Sequence, residues 1–417
     1  MPIIGCVPEE VAPPEEKVIK IGSLEDLAGP YSTIGVPISN GYSDFWKYVN
    51  KDLGGINGIR VLPLWIDDRS NPSLSISGYR RLKDSGVVFL CTTTTPQLLA
   101  IQNFLIDDRI ASCGISCSWP AISPKGAGMY YNCLTGTTGR SIATGLDWYY
   151  KNEWPKKGLD RPMRVGIITW DNPLGHDAAD GPKRWIKLNE PSVKLVGECV
   201  VSPMLMDYTT EIIVLKGKDI DVHVGAVSGA AYALIPRDAV KVGLSEEVPI
   251  ILEPQGGFTP GCIALAGESY NRILVTSTFY STDEADDIPA LAKVREVEMR
   301  YRQGKYWEGA VYGYFVGEQR GRIAYEAIKK ALEQVGFENL TGMAVKEGLD
   351  SLRNIESDIG SPISYGDYPG DRTAQDLARA WHWDVKAKRP IILSDWFEMI
   401  PLEKLGYEVR PGFGLSQ

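Results

Sequence analysis

Short apolar runs alternate with stretches of helical periodicity along nearly the whole chain, and this alternation limits the fold more than any other feature. Residues 18–22 are typical of a strand, and Tyr42, Phe45 and Val49 then recur with the spacing of one helix face. Further apolar runs occupy residues 59–66, 87–91, 130–133, 164–169, 194–201, 221–226, 249–252 and 272–277. Strands that alternate with crossover helices form parallel sheets covered by helices on both faces. The sequence therefore predicts an α/β fold.

Length and charge argue against several classes of protein. The chain has 417 residues, which suggests two or three domains, and its net charge of −9 offers no electrostatic footprint for nucleic acid or anionic lipid. It contains no apolar run of the roughly 18 residues that a transmembrane helix needs. We therefore expect no nucleic-acid partner, and contact with a membrane only through an attached lipid.

The residue patterns that usually carry catalysis are missing. The sequence has no phosphate-binding G-x-x-x-x-G-K-[ST] loop, no dinucleotide fingerprint and no G-x-S-x-G nucleophile turn. Cys113 and Cys117 do not have the spacing of a C-x-x-C redox or zinc motif, and the 3 histidines share no metal-ligand spacing. We therefore expect a binding protein without a cofactor or metal, rather than an enzyme.

The N-terminal segment differs in composition from the rest of the chain. Residues 7–17 are rich in proline and glutamate, so they bury too little apolar surface to offset the entropy lost on ordering. The preceding Ile-Ile-Gly-Cys resembles the bacterial lipobox, whose cysteine receives a lipid. No charged and apolar signal region precedes it, so a chance match stays open. We expect residues 1–17 to be a disordered tether, with Cys6 as its lipidation site.

Several groups of residues together form a recognisable pattern. They are residues 18–22, Gly29-Pro30 with Gly35, residues 54–58, Asp67-Asp68 with Pro72, residues 164–171 with Leu174-Gly175, and residues 325–331. This pattern resembles that of type I periplasmic binding proteins, and most closely the leucine/isoleucine/valine-binding group that serves ABC importers. The resemblance spans about residues 18–390 and is most specific near the N-terminus.

The resemblance implies two Rossmann-like α/β lobes with parallel sheets, joined by a hinge of three crossovers and closing on a ligand in the cleft between them. It implies an N-terminal lobe of residues 18–137 and 279–358, and a C-terminal lobe of residues 138–278 and 359–390. Residues 391–417 extend past the usual end of the family, and we expect them to pack on one lobe.

The resemblance also implies where the ligand contacts lie. Relatives hold a ligand carboxylate with small hydroxyl residues after the third strand, which correspond here to Thr92 and Thr93 beside Cys91. Capping of the following helix is the alternative role for these threonines, and the expected role of Thr94 and Thr95. The other expected contacts are Ile34, Ile115, Ser116, Leu174, Ser228, Glu253, Gln255 and Tyr280.

Departures from the family pattern concern the size and charge of the pocket. Ile34, Leu174 and Ser228 stand where relatives carry aromatic rings, so we expect a larger pocket. Relatives that bind α-amino acids have a glutamate in a Pro-Glu-Gly turn, where this chain has the uncharged Gln255. Either Glu253 pairs with the ligand ammonium instead, or the ligand has no ammonium group. The larger pocket favours the second interpretation.

We therefore expect an extracytoplasmic solute-binding protein at the periplasmic or extracellular face, which delivers a small carboxylate-bearing molecule to the permease of an ABC importer. Organic acids, aromatic acids and amino acids are the ligand classes in question. The alternatives are a branched-chain amino acid binder proper, a ligand-sensing receptor or regulator on the same fold, and an enzyme with an unfamiliar site.

Deleting residues 1–17 should leave both the melting temperature and the ligand affinity unchanged, because a segment of this composition forms no part of a packed core. Thermal unfolding of the full and shortened chains, followed by calorimetric titration, tests this expectation. A drop of several degrees in the melting temperature would show instead that the segment packs on a lobe.

Overall fold

The computed structural model describes residues 17–115, 119–122, 128–253, 260–307, 312–365, 373–387 and 389–407. Apart from Lys17, the expected tether and its Cys6 lie outside these residues. Lys17 Nζ forms an exposed ion pair with Glu338 at 2.7 Å. None of the described helices is long and apolar enough to cross a membrane.

The first sheet consists of five parallel strands in the order β2-β1-β3-β4-β5. The strands are β1 Val18–Glu25, β2 Arg60–Asp67, β3 Phe89–Thr92, β4 Ala111–Gly114 and β5 Tyr130–Asn132. The helices that follow the first four strands are α1 Ser32–Asp52, α2 Pro72–Asp84, α3 Thr95–Asp108 and the short α4 Trp119–Ile122. The predicted alternation of strand and helix, and the predicted parallel pairing, are confirmed in this sheet.

The second sheet has eight strands, of which seven follow the order β12-β11-β10-β9-β8-β6-β7, while β13 pairs with β11. The parallel part contains β6 Met163–Trp170, β7 Val193–Val201, β8 Val222–Ala226, β9 Ile250–Leu252 and β10 Ile273–Ser277. The antiparallel part contains β11 Leu377–Asp384, β12 Arg389–Ile392 and β13 Phe397–Glu398. The flanking helices are α5 Thr138–Asn152, α6 Pro173–Leu188, α7 Thr209–Lys216, α8 Ala231–Lys241 and α9 Pro260–Ala266.

The chain passes repeatedly between the two sheets, and the buried cores divide accordingly. One core combines residues of 19–134 with residues of 279–374, and contains α10 Pro289–Arg302, α11 Tyr312–Val335 and α12 Gly342–Asp350. The clusters around the second sheet draw mainly on residues 142–275 and 378–407. The molecule is therefore built as two α/β lobes.

The return to the second lobe comes later in the chain than the resemblance implied. Ile359, Ile363 and Ala374 pack in the first core, although residues 359–390 were expected in the C-terminal lobe. Backbone bridges from Gly360 to Phe279 and from Thr373 to Asn132 tie these residues to segments of the first lobe. Later in the chain, the C-terminal segment packs on the second lobe, where Leu402, Leu405 and Tyr407 join its core.

Helices α1 and α11 cross at a distance that only glycine permits. A Cβ atom on Gly41 would lie 2.1 Å from the backbone oxygen of Tyr314, and one on Gly317 would lie 2.1 Å from that of Ile38. Each glycine therefore lets the other helix's backbone approach directly. The stripe predicted from Phe45 and its neighbours lies on the buried face of α1 beside this crossing.

A buried ion pair joins α11 to the first sheet. Arg320 Nη2 lies 2.9 Å from Glu25 Oε1, and both side chains are almost completely excluded from solvent. The guanidinium group also packs on the ring of Tyr42, with 4.7 Å between Cζ and the ring centroid. Ser23 and Thr93 donate their hydroxyl groups to the Glu25 carboxylate. The pair thus connects β1, α1, α11 and the end of β3.

Replacing Arg320 by Met should destabilise the first lobe strongly, because it leaves Glu25 charged and unpaired in the core. Breaking a buried pair in this way typically costs about 3–5 kcal/mol. Urea unfolding followed by circular dichroism measures the loss. The matched control is Lys293→Met, which removes an exposed pair with Glu296 and should cost less than about 1 kcal/mol. Equal losses in the two variants would contradict a structural role for the buried pair.

Candidate ligand-binding site

A cavity opens between the two lobes at the carboxyl ends of their parallel strands, which is where α/β sheets commonly bind ligands. The empty space within it is about 460 Å³ when the open solvent at its mouth is included. The first lobe contributes Tyr31, Ile34, Gly35, Ile38, Thr93, Thr94, Thr95, Ile115 and Tyr312, and the second lobe contributes Thr138, Leu174, Ser228 and Glu253. Six of the residues expected to contact a ligand therefore line one cavity: Ile34, Thr93, Ile115, Leu174, Ser228 and Glu253.

The other expected contacts have different surroundings. Cys91 and Thr92 are buried in β3 and do not line the cavity, and burial raises the pKa of the Cys91 thiol to about 12. Tyr280 packs against Trp396, with 5.7 Å between the ring centroids, and is not among the residues lining the cavity. Ser116 and Gln255 lie outside the described residues.

The threonine loop presents the start of α3 to the cavity. Thr94 is the N-cap residue of this 14-residue helix, in agreement with its expected capping role. Gln97 Oε1 accepts the backbone N–H groups of Thr93 at 2.8 Å and Thr94 at 2.9 Å, while Gln97 Nε2 donates to Asp68 at 2.6 Å. These bonds fix the loop. The dipole of α3 therefore favours negative charge at this end of the cavity.

The hydroxyl group of Thr93 is already engaged below the cavity. Thr93 Oγ1 donates to Glu25 Oε2 at 2.5 Å and accepts from Arg320 Nη1 at 3.1 Å. Its side chain therefore forms part of the cavity floor, while its oxygen belongs to the buried ion-pair network. Thr94 and Thr95 also line the cavity, and the hydroxyl group of Thr94 lies 2.9 Å from that of Ser70.

Glu253 is the one carboxyl group among the described lining residues. It follows β9 and is only 5% exposed. Tyr232 donates its hydroxyl group to Glu253 Oε2 at 3.0 Å, while Oε1 has no hydrogen-bond partner within the described part of the chain. Burial is the main cause that raises the pKa of Glu253 to about 8, and the nearby Asp177 contributes to this rise. The hydroxyl groups of Tyr232 and Thr138 act in the opposite direction.

The apolar walls depend on two close backbone contacts. A Cβ atom on Gly35 would lie 2.0 Å from the backbone oxygen of Asp26, and one on Gly175 would lie 2.2 Å from that of Trp170. These glycines allow the first turns of α1 and α6 to approach the preceding loops, which brings Ile34 and Leu174 to the cavity. Asn172 caps α6 by accepting the Gly175 N–H group at 2.8 Å.

Several lining residues, among them Thr138 and Tyr312, were not anticipated as ligand contacts from the sequence. Thr138 opens α5 after β5, so the rule that ligands bind at strand ends offered a signal for it. Tyr312 begins α11, far along the chain from any predicted binding loop, and no local signal marks it. Its place at the cavity follows from the packing of α11 against α1.

Asp177 of α6 joins the lobes beside this cavity. Its Oδ1 atom accepts the backbone N–H group of Trp119 at 2.7 Å, and the Trp119 ring packs on Tyr407, with 4.9 Å between centroids. Oδ2 has no hydrogen-bond partner among the described residues. The pKa of Asp177 is raised to about 7, mainly by burial and also by Asp180, while the N–H groups of Trp119 and Gly139 act in the opposite direction.

Replacing Asp177 by Asn should make the protein progressively more stable than the wild type as the pH rises from about 4 to about 7. The raised pKa means that folding favours the protonated acid, so its stabilising contribution is present below the usual value of 3.8 and is lost through about 7. The expected slope is at most about 1.4 kcal/mol per pH unit. Urea unfolding at several pH values measures it, with the exposed Asp219→Asn as control. A difference that does not vary with pH would contradict the prediction.

Comparisons with known proteins agree with this architecture. The sequence profile described as periplasmic binding protein matches residues 18–384. A "Leu/Ile/Val-binding protein homolog 3" from Brucella melitensis is 22% identical over 371 residues, which cover 88% of this chain and 91% of the homolog. A branched-chain amino acid ABC transporter protein from Thermus thermophilus with bound valine superposes with a TM-score of 0.79 at 18% identity, covering 92% and 97% of the two chains. A solute-binding protein of an ABC transporter from R. palustris, in complex with 4-hydroxybenzoate, gives 0.76 at 15% identity, covering 92% and 98%. The profile match over most of its length shows that the chain belongs to the periplasmic binding protein family.

Proposed function

We propose that this protein captures a small carboxylate-bearing molecule between its lobes, outside the cytoplasm, and delivers it to the permease of an ABC importer. The observation that carries this proposal is the cavity between the strand ends of the two lobes, because both lobes must close on whatever occupies it. Membership of the periplasmic binding protein family supports the location and the permease partner. A lipid on Cys6 would hold the protein at the membrane.

A carboxylate fits the first-lobe side of the cavity. The start of α3, with Thr94 and Thr95 among the lining residues, brings the positive end of the helix dipole to this side of the cavity. The described lining residues include no lysine, arginine or histidine. An anion would therefore be held by hydroxyl and backbone dipoles, and a single negative charge suits such a site better than two.

The remaining walls suit an apolar or aromatic body. Ile34, Ile38 and Leu174 face the cavity together with the rings of Tyr31 and Tyr312. The R. palustris protein binds 4-hydroxybenzoate, and the T. thermophilus protein binds valine. Both ligands have a carboxylate, but only valine carries an ammonium group. We propose an organic acid without an ammonium group, with aromatic acids as the first class to test.

A branched-chain amino acid is the second candidate, and Glu253 is the observation that favours it. A carboxyl group with one unpartnered oxygen at the cavity surface is a natural partner for a ligand ammonium. The family membership supports a binding role without catalysis. A receptor that signals instead of feeding a permease would bind the same ligand, and an uptake assay in cells lacking this protein separates the two roles.

Calorimetric titration with benzoate, 4-hydroxybenzoate, leucine, isoleucine and valine tests the ligand class. We expect an aromatic acid to bind and to stabilise the protein by about 2.7 kcal/mol when present at 100 times its Kd. The variant Ser228→Trp should weaken binding at least about tenfold because it fills the cavity, whereas Ser77→Trp on the exposed face of α2 should not. Sub-micromolar binding of leucine, isoleucine or valine would reject the proposal in favour of the second candidate.

A further inference from the structure

We propose that Glu253 acts as an uncharged carboxylic acid whose O–H group donates a hydrogen bond to the ligand, and that it thereby selects monoanionic acids over zwitterionic amino acids. This inference rests on the proposed function, because it assigns a specificity-determining residue to the same cavity. In this proposal, Glu253 forms an uncharged hydrogen bond with the ligand on the second-lobe side of the cavity, in place of an ion pair.

The hydrogen bonding of Glu253 determines which oxygen carries the proton. Oε2 accepts the hydroxyl group of Tyr232 at 3.0 Å, so it acts as the carbonyl oxygen of the neutral acid. Oε1 has no partner among the described residues, although the side chain is 95% excluded from solvent and lines the cavity. The proton therefore belongs on Oε1, where a ligand acceptor would satisfy it. A buried polar atom left unpaired is costly, which gives such a ligand an energetic advantage.

The surroundings of Glu253 disfavour its ionised form. The groups that face it are the hydroxyls of Thr138 on α5 and Tyr232 on α8, and the carboxyl group of Asp177 on α6. The pKa of Asp177 is in turn raised by Asp180 and lowered by Arg184. No cationic side chain is present among the described cavity-lining residues. Burial, together with Asp177, raises the pKa of Glu253 to about 8, so the neutral acid predominates at pH 7.

The two ligand classes require opposite protonation states. A monocarboxylate beside an ionised Glu253 would bring two negative charges into one poorly solvated cavity, whereas the neutral acid leaves only one. An amino acid needs the ionised form to pair with its ammonium group, so its binding at pH 7 must release the Glu253 proton. The affinity for a monocarboxylate should therefore fall as the pH rises through about 8, while that for an amino acid should increase.

Benzoate is a suitable probe, because its carboxylate stays ionised throughout the relevant range. Calorimetry from about pH 6 to about pH 9 should show constant affinity at low pH, then a loss approaching tenfold per pH unit above the pKa of Glu253. Glu253→Gln should bind benzoate as tightly as the wild type at low pH and show no such loss, because its amide N–H group donates in place of the O–H group. The control Glu247→Gln alters an exposed carboxylate and should behave as the wild type.

Infrared spectroscopy of the ligand-free protein provides an independent readout. At about pH 6.5 the wild type should show a protonated-carboxyl C=O band that Glu253→Gln lacks, in addition to the band of Asp177, which both proteins share. Absence of the Glu253 band from the wild type, benzoate affinity that increases with pH, or loss of benzoate binding in a folded Glu253→Gln variant would each overturn the inference. If the band is present but no monocarboxylate binds, the proposed ligand class fails while the uncharged state of Glu253 is supported.

Discussion

The buried pair between Arg320 and Glu25 is the interaction on which the first lobe depends. Two charges removed from water are tolerable only in good mutual geometry with their remaining hydrogen bonds satisfied. Here the hydroxyl group of Thr93 meets part of this requirement, because it forms hydrogen bonds with both Glu25 and Arg320. The floor of the cavity is thus attached to a fully buried ion pair of the lobe. Its shape is specified by directional hydrogen bonds as well as by apolar packing, which tolerates more variation.

The parts of the fold that could be predicted are those encoded locally. Strand and helix alternate because residues 18–22 and the stripe around Phe45 carry their periodicity within a few residues. The return of residues 359–365 to the first lobe could not be read in this way, because it depends on a bridge to Phe279, far back in the chain. The antiparallel strand β11 likewise owes its place to long-range pairing with β10.

In the candidate site, too, some residues could be predicted from the sequence, while others depend on contacts with distant parts of the chain. Ile34, Leu174 and Ser228 could be placed near one cavity because the resemblance to periplasmic binding proteins implies ligand contacts at these positions. The partner of the Thr93 hydroxyl could not be anticipated, since Arg320 lies 227 residues further along the chain. The sequence also left two roles open for Glu253. Its burial and its bond to Tyr232 are tertiary facts, and they are what distinguishes a neutral donor from a charged partner.

The C-terminal strands also determine which strand forms the edge of the second sheet. The family match ends at residue 384, yet β12 and β13 lie beyond it and pair with β11. An unpaired β11 would offer a row of backbone N–H and C=O groups to any neighbouring chain, which is the usual route to edge-to-edge aggregation. The extension therefore moves the edge of the sheet from β11 to β12, which has only 4 residues, and a very short edge strand offers few groups for pairing with another chain. A homologue that stops at the end of the family match would have to protect this strand by other means, such as charged side chains or a bulge.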